Sequence, residues 1–285
     1  MIEEGMPSVC IMIPTYNQSK YISLGIESAL RQDYTNISVV IADDCSTDDT
    51  KEVVQKYLAD SRVKYWRNDR NLGRLANYRN LLYNLTSADW VVNLDGDDYY
   101  TNPSFVSNAI KRIVKEGTAE NVLFYQAAHI VKFPDKLEYP KYCFSGEEII
   151  LTGSVYVFGP VSRQNFSHMS IIYNRKKAIE SGFYEMNISS ADIYSIYKSC
   201  INNPNDTVIV AKEISGIWVK HGQNISSNLR FFDQFKNYGL YVNLSLLAIK
   251  KGIGITKVAG WLFNRTMSYW KGYASKLMQR RRVQQ

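Results

Sequence analysis

Three carboxylates in four positions carry the clearest chemical potential in the sequence. Asp95, Asp97 and Asp98 directly follow the apolar run Trp90-Val91-Val92-Asn93-Leu94. A run of this kind predicts a buried parallel strand, and open α/β sheets bind ligands at the carboxyl ends of such strands. Oxygen ligands at this density suit Mg²⁺ or Mn²⁺, which proteins commonly share with substrate phosphates. The alternative is an acidic turn that lies open to water.

The first 125 residues contain the elements that would position these carboxylates. Apolar runs at residues 9–13, 37–42, 63–66, 90–94 and 122–125 alternate with segments of helical periodicity. This alternation predicts an α/β fold with a doubly wound, mostly parallel sheet and helices on both faces. Strands one, two and four each end in a polar or acidic loop, and right-handed crossovers would gather these loops at one edge of the sheet.

This edge is a nucleotide-binding arrangement without a glycine-rich phosphate loop. No G-x-G-x-x-G follows the first strand, and no lysine-containing P-loop occurs. Phosphate charge must therefore be met in another way, and a metal held by the three carboxylates would meet it.

The second half of the chain is patterned less regularly. We expect residues 127–163 to form loops and short elements that line a cleft. Strands are predicted at 169–173, 208–211 and 216–220, with helices at 175–181 and from Asp192 onward. The last strand runs into His221.

Composition fits one domain or one and a half. The chain has 285 residues, of which 45% are hydrophobic. The four cysteines lie far apart without metal-ligand spacing, which predicts reduced thiols. Residues 1–7 are polar and acidic, so we expect no signal peptide and a cytoplasmic location.

The basic charge is concentrated at the C-terminal end. From Arg230 onward, 11 basic residues stand against the single acid Asp233, whereas residues 1–229 hold 23 basic and 26 acidic residues. Aromatic residues are interleaved with these bases, a pattern that favours peripheral contact of residues 240–285 with an anionic membrane over nucleic-acid binding. Lysines at 250, 251 and 257 interrupt the apolar stretch 240–263, so it is not expected to span a bilayer.

Several segments, taken together, resemble inverting glycosyltransferases of family 2, which have the GT-A fold. The matching pieces stand in the family's order: Ile13-Pro14-Thr15-Tyr16-Asn17, Val40-Ile41-Ala42-Asp43-Asp44-Cys45-Ser46-Thr47-Asp48, Asn71-Leu72-Gly73 with Tyr78-Arg79-Asn80, Leu94-Asp95-Gly96-Asp97-Asp98, Ser181-Gly182-Phe183-Tyr184-Glu185 with Ala191-Asp192, and Lys220-His221. The family usually shows Glu-Asp where this chain has Ala191-Asp192. Neither transmembrane helices nor a Gln-x-x-Arg-Trp-type motif is visible, so the resemblance is to non-processive members.

The resemblance implies a division of the chain and a role for each matching residue. Residues 1–229 would form the glycosyltransferase domain, with a donor half at about 7–125 and an acceptor half at about 126–229, followed by the helical tail 230–285. Asp192 would be the catalytic base, and Asp97 and His221 would bind Mn²⁺ or Mg²⁺. The donor nucleotide would meet Pro14, Thr15, Tyr16, Asp43, Asp44, Asn71, Arg74, Arg79, Asp95 and Gly96.

The substrates implied are a nucleotide-sugar donor, with a UDP-sugar favoured, and a glycan or lipid-linked oligosaccharide acceptor of a bacterial surface polysaccharide. Two alternatives remain open from the residues alone. One is a nucleotidyltransferase of related fold, whose expected glycine-rich loop is absent. The other is a catalytically silent protein that binds nucleotide sugars or glycans.

Overall fold

The computed structural model describes residues 5–116, 119–160, 166–221 and 231–283. In the described residues one mixed sheet carries all the strands. They are β1 (Val9–Thr15), β2 (Ile37–Asp43), β3 (Val63–Arg67), β4 (Trp90–Asn93), β5 (Tyr99–Tyr100), β6 (Val122–Lys132), β7 (Leu137–Glu138), β8 (Glu148–Thr152), β9 (Ile171–Asn174) and β10 (Thr207–Val219).

The helices alternate with the strands in the first half and cluster toward the end of the chain. They are α1 (Ile22–Leu30), α2 (Thr50–Gln55), α3 (Arg74–Asn80), α4 (Phe105–Lys115), α5 (Gly153–Phe158), α6 (Arg175–Glu180), α7 (Ala191–Asn202), α8 (Phe231–Lys250) and α9 (Ile255–Val283). A π-helical turn, Leu81–Leu85, continues α3.

The sheet has the order β3-β2-β1-β4-β9-β6-β10-β5, with β7 paired to β6 and β8 paired to β10. β1 to β4 are mutually parallel, and β9 runs antiparallel between β4 and β6. This order brings the carboxyl ends of β1, β2 and β4 to one edge, as the alternation of elements predicts. The doubly wound, mostly parallel fold is therefore confirmed.

The two faces of the sheet are covered by separate apolar clusters. Along β1, Ile11 and Ile13 pack on one face with α1 and α4, whereas Cys10 and Met12 pack on the other. Because both faces are covered, the strand carries a continuous apolar run rather than an alternating one. The four cysteines are free thiols, as predicted.

Two boundaries in the second half differ from the sequence prediction. The strands predicted at 208–211 and 216–220 are one strand, β10, whose pairing with β6 shifts register between Val210 and Ile214 and again before Gly216. These irregularities interrupt the hydrophobic pattern without ending the strand. Residues 127–132 likewise continue β6 instead of forming a loop.

The C-terminal segment is helical, as expected, and its inner face belongs to the core. Leu240, Leu244, Val258 and Trp261 are buried in the same cluster as Tyr197 of α7. Within the part of the chain that the structure describes, no helix has both the length and the apolarity that a membrane span needs.

Candidate active site

A cleft of about 440 Å³ opens at the carboxyl edge of β1, β2 and β4. Segments distant in sequence meet there because the parallel strands deliver their following loops to one place. Ten residues predicted from the sequence line it: Pro14, Thr15, Tyr16, Asp44, Asn71, Arg74, Asp95, Asp97, Asp192 and His221.

Two of the other predicted residues face away from this cleft. Asp43 is fully buried, and its carboxylate accepts hydrogen bonds from Ser46, from Tyr65 and from Arg67 at 2.8 Å. The Arg79 guanidinium lies 4.7 Å from the centroid of the Tyr83 ring. Neither side chain lines this cleft: Asp43 is committed to its buried partners, and Arg79 lines a separate depression beside Tyr83.

Gly96 lies beneath the cleft without lining it. A Cβ atom at this position would stand 2.3 Å from Oε1 of Gln18 and 3.4 Å from Oγ1 of Thr15. The glycine thus permits close approach of the loop after β1 to the acidic loop after β4.

Asp44 fixes the loop that follows β3. Its carboxylate accepts hydrogen bonds from the backbone N–H groups of Leu72 at 2.7 Å and Gly73 at 2.8 Å, and from Nδ2 of Asn68 at 3.0 Å. Gly73 has a φ of +86°, in the left-handed region that glycine adopts readily. Asp44 therefore has two roles: it lines the cleft, and it anchors the loop that carries Asn71 beside the cleft.

The acidic cluster is crowded enough to favour a cation. One oxygen each of Asp95, Asp97 and Asp98 lie within 4.8 Å of one another. Burial, together with repulsion from the neighbouring carboxylates, raises the pKa of Asp97 and raises that of Asp98 well above its usual value. A hard divalent cation bound by these oxygens would relieve that repulsion, so the donor set fits Mg²⁺ or Mn²⁺.

His221 extends the acidic cluster at the end of β10. Its Nε2 lies 2.8 Å from Oδ2 of Asp97, and its ring stacks on Tyr21 with centroids 5.3 Å apart and planes 6° from parallel. Tyr21 and Asp97 together orient an imidazole beside the carboxylates.

Asp95 is held on both of its oxygens. The Tyr78 hydroxyl donates to Oδ1 at 2.5 Å, and Nε2 of His168 lies 3.2 Å from Oδ2. Burial acts to raise the pKa of Asp95, but His168, Tyr78 and Arg74 outweigh it and hold that pKa below its usual value. Asp95 is therefore an ionised acceptor.

Asp192 lies in the first turn of α7, far along the sequence from the acidic cluster but at the same cleft. Nearby, Arg74 donates to the backbone carbonyl of Ser189 at 3.0 Å. Burial acts to lower the pKa of Arg74, but its interactions with Tyr78, Asp192 and Asp95 outweigh burial and raise that pKa. Arg74 thus stands as a fixed cation between the predicted base and the acidic cluster.

Further lining residues were not assigned a role from the sequence. They are Asn17, Gln18, Tyr21, Asn77, Tyr78, Phe166, Ser167, His168, Ser189 and Trp218. Asp98, which the sequence places in the acidic cluster, also lines the cleft. His168 is one of three histidines and directly precedes an apolar strand, and these two features are the only sequence signal that could have indicated a role for it in the site. None of residues 127–160, which we expect to line a cleft, lines this one. Residues 161–163 lie outside the described residues.

The chain is similar in sequence and in fold to known glycosyltransferases. Residues 10–181, more than half of the chain, match the family model described as glycosyl transferase family 2. An uncharacterized glycosyltransferase of Haemophilus influenzae is 24% identical over 256 residues, covering 87% of this chain and 93% of that protein.

A second relative is similar over a shorter region. The UDP-Glc:alpha-D-GlcNAc-diphosphoundecaprenol beta-1,3-glucosyltransferase WfaP of Escherichia coli is 38% identical over 105 residues, which cover 37% of this chain and 41% of that enzyme. Among solved structures, residues 1–349 of Staphylococcus aureus TarS in complex with UDP-GlcNAc superpose with a TM-score of 0.72 at 21% identity. That superposition covers 90% of this chain and 70% of TarS 1–349, and it confirms the GT-A fold.

Proposed function

The chain belongs to glycosyl transferase family 2 and is a glycosyltransferase that uses a nucleotide-sugar donor, and we propose that this donor is a UDP-sugar. The sugar is transferred, with inversion and without processivity, to a hydroxyl group of a glycan or lipid-linked glycan. The observation that carries the proposal is the convergence of Tyr16, the acidic cluster and Asp192 on one cleft. A second candidate, silent binding of nucleotide sugars, would need the same cleft but no base.

The donor nucleotide occupies the side of the cleft formed by the loops after β1, β2 and β3. Tyr16 is 46% exposed, which leaves its ring face open for stacking on a base. Asp44 and Asn71 line the same side, and Asp44 retains acceptor capacity for the imide of a uracil. TarS, whose fold this chain shares, has been crystallised with UDP-GlcNAc, which supports a UDP-sugar as the donor.

Asp97 and His221 are the proposed metal ligands, beside Asp95 and Asp98. A bound Mn²⁺ or Mg²⁺ would neutralise the negative charge that develops on the departing diphosphate. The chain itself supplies further positive charge through Arg74, which lies at the same cleft. Asp95 accepts hydrogen bonds from the ribose or from the sugar.

Asp192 acts as general base. It accepts the proton of the acceptor hydroxyl while that oxygen bonds to the anomeric carbon, and the bond from this carbon to the diphosphate oxygen breaks. The electron pair leaves with UDP, and attack from the face opposite the leaving group inverts the configuration. A carboxylate separate from the acidic cluster suits this step because it stays free to take the proton.

The acceptor class rests on the relatives. WfaP is named for a diphosphoundecaprenol-linked acceptor. We infer a bacterial surface glycan, such as lipopolysaccharide or capsule, assembled on a lipid carrier at the inner face of the cytoplasmic membrane.

The activity is tested with the full chain, Mn²⁺, a panel of UDP-sugars and a lipid-linked disaccharide extract, with release of UDP and the mass of the product as readouts. Asp192→Asn keeps the shape of the base and is expected to lose about 10²–10⁴-fold in transfer while it still binds UDP. A wild-type protein that binds UDP-sugar but never releases UDP with any acceptor would favour the silent-binding alternative. Retention of full transfer by Asp192→Asn would remove Asp192 from the base role.

Peripheral membrane contact is proposed for the outer faces of α8 and α9. While their inner faces are buried in the core, their outer faces carry apolar side chains that are 39–67% exposed: Val242, Leu246, Ile249, Ile255, Phe263 and Met267. In α8 the exposed Lys236, Asn243 and Lys250 recur every seven residues beside this apolar stripe. The excess of basic residues after Arg230 complements an anionic lipid surface.

Co-sedimentation with vesicles tests this contact. Leu246→Glu with Phe263→Glu should abolish binding to phosphatidylglycerol vesicles, whereas the matched control Leu58→Glu, on the donor half, should bind as wild type. Equal binding of both variants, or none by the wild type, rejects the lipid surface. A concentration-dependent dimer that Leu246→Glu dissociates would reassign the stripe to a second copy of the chain.

A further inference from the structure

Two side chains from separate elements hold the Asp95 carboxylate. The Tyr78 hydroxyl, from α3, donates to Oδ1, and the His168 ring reaches Oδ2 with Nε2 at 3.2 Å. Because an ionised carboxylate only accepts hydrogen bonds, Nε2 of His168 is the protonated nitrogen. The ring of His168 also meets Tyr78 edge-on, with centroids 5.7 Å apart, so the three residues form one contact group.

Sheet topology brings His168 to this position. β9 pairs antiparallel with β4, and Trp90 lies opposite Asn174. The residues that enter β9 therefore lie beside those that leave β4. His168 stands in the short 3-10 turn directly before β9, so its side chain meets the loop that carries Asp95.

A histidine at this position lowers the stability of the folded state. His168 is only 9% exposed, and its Nδ1 is buried without a hydrogen-bond partner among the described residues. A buried polar atom without a partner is unfavourable, whereas an apolar side chain of similar size would avoid the cost. The bond that offsets this cost is the one from Nε2 to Asp95.

We propose that His168 is a positioning residue that fixes the Asp95 carboxylate for recognition of the nucleotide-sugar donor. A carboxylate has about four lone-pair sites, and Tyr78 and His168 occupy two of them from the protein side. The remaining sites are thereby held toward the cleft, where hydroxyl groups of the donor's ribose or sugar bind. The inference rests on the proposed function, because it needs a nucleotide sugar in this cleft.

Calorimetric titration of a UDP-sugar, in the presence of Mn²⁺, into a matched pair of variants tests the proposal. In His168→Gln the amide nitrogen stands near the position of Nε2 and can still donate to Asp95, whereas in His168→Asn the amide ends short of it. The dissociation constant of His168→Asn is expected to rise about tenfold or more, as loss of a hydrogen bond to a charged group predicts. His168→Gln should remain within about threefold of wild type on the same reasoning.

A double-mutant cycle separates positioning from a general effect on folding. If His168 acts through Asp95, the effects of His168→Asn and Asp95→Asn on the dissociation constant will not add, whereas those of His168→Asn and of Tyr16→Ala, in the loop after β1, will. Equal binding by the Asn and Gln variants, or additivity with Asp95→Asn, overturns the proposal and leaves the proposed function standing. A wild-type protein that binds no nucleotide sugar refutes the proposed function, and this inference with it.

Discussion

Replacing Asp44 by alanine is expected to weaken both the fold and nucleotide binding. The buried Asp44 carboxylate accepts from Leu72, Gly73 and Asn68 at 2.7–3.0 Å. A hydrogen bond to a charged group contributes roughly 1.5–3 kcal/mol. Loss of all three is nevertheless not additive, because Leu72 is 42% exposed and the Gly73 N–H also donates to Asn71 at 2.9 Å.

We therefore expect Asp44→Ala to lower the free energy of unfolding by about 2–4 kcal/mol. In urea this corresponds to a fall of about 1 M in the midpoint, given the denaturant dependence of a domain this large. The dissociation constant for UDP should rise at least about tenfold, because the Asn71 loop loses its anchor. Circular dichroism measures the first quantity and calorimetric titration the second.

The matched control for this prediction is Asp60→Ala. Asp60 forms a partly exposed pair with Arg62 at 2.8 Å, and surface pairs contribute only about 0–1 kcal/mol. If Asp44→Ala and Asp60→Ala unfold at the same urea concentration, or if UDP binds Asp44→Ala as tightly as wild type, the anchoring role of Asp44 is refuted.

Three further outcomes are expected. Tyr16→Ala should weaken UDP binding by about 1–3 kcal/mol, the value of one base–aromatic stack, without changing stability, and unchanged affinity would remove Tyr16 from the base site. Leu244→Ala, at a fully buried position of α8, should cost about 2–5 kcal/mol of unfolding free energy in denaturant, whereas a value near zero would show that α8 is not part of the core. Burial raises the pKa of Tyr78, Tyr100 and Tyr156 well above 10. Because the folded state then keeps protons that the unfolded state releases, the stability of the fold is expected to fall as the pH rises above 10. Phenolate absorbance that showed all 21 tyrosines ionising near pH 10 before the fold is lost would contradict this prediction.

The sequence was most informative where local pattern and topology agree. The alternation of apolar runs and helical segments predicted the sheet, and the loops after the strands that end at one edge supplied most of the cleft. Eight of the predicted site residues meet there because the parallel strands β1 to β4 bring their carboxyl ends and following loops to one edge, whereas Asp192 comes from the start of α7 and His221 from the end of β10.

What the sequence could not predict depends on the direction of individual side chains and on distant pairings. Asp43 and Asp44 are adjacent and chemically identical, yet strand alternation sends one to Arg67 and the other to the Asn71 loop. Tyr21 and His168 reach the site only through contacts with residues 200 and 73 positions away, which no local pattern contains.

The central claim is that this cleft binds a UDP-sugar through a metal held by Asp97. It is tested most directly by thermal unfolding with UDP, with and without Mn²⁺, on wild type and on Asp97→Asn. Ligand at a hundredfold excess over its dissociation constant stabilises the folded state by about 2.7 kcal/mol. We predict a shift of that size for wild type with UDP and Mn²⁺ together, and little shift when Mn²⁺ or the Asp97 carboxylate is missing. An equal shift without Mn²⁺ would contradict the role of the metal, and no shift with any nucleoside diphosphate would contradict the donor site itself.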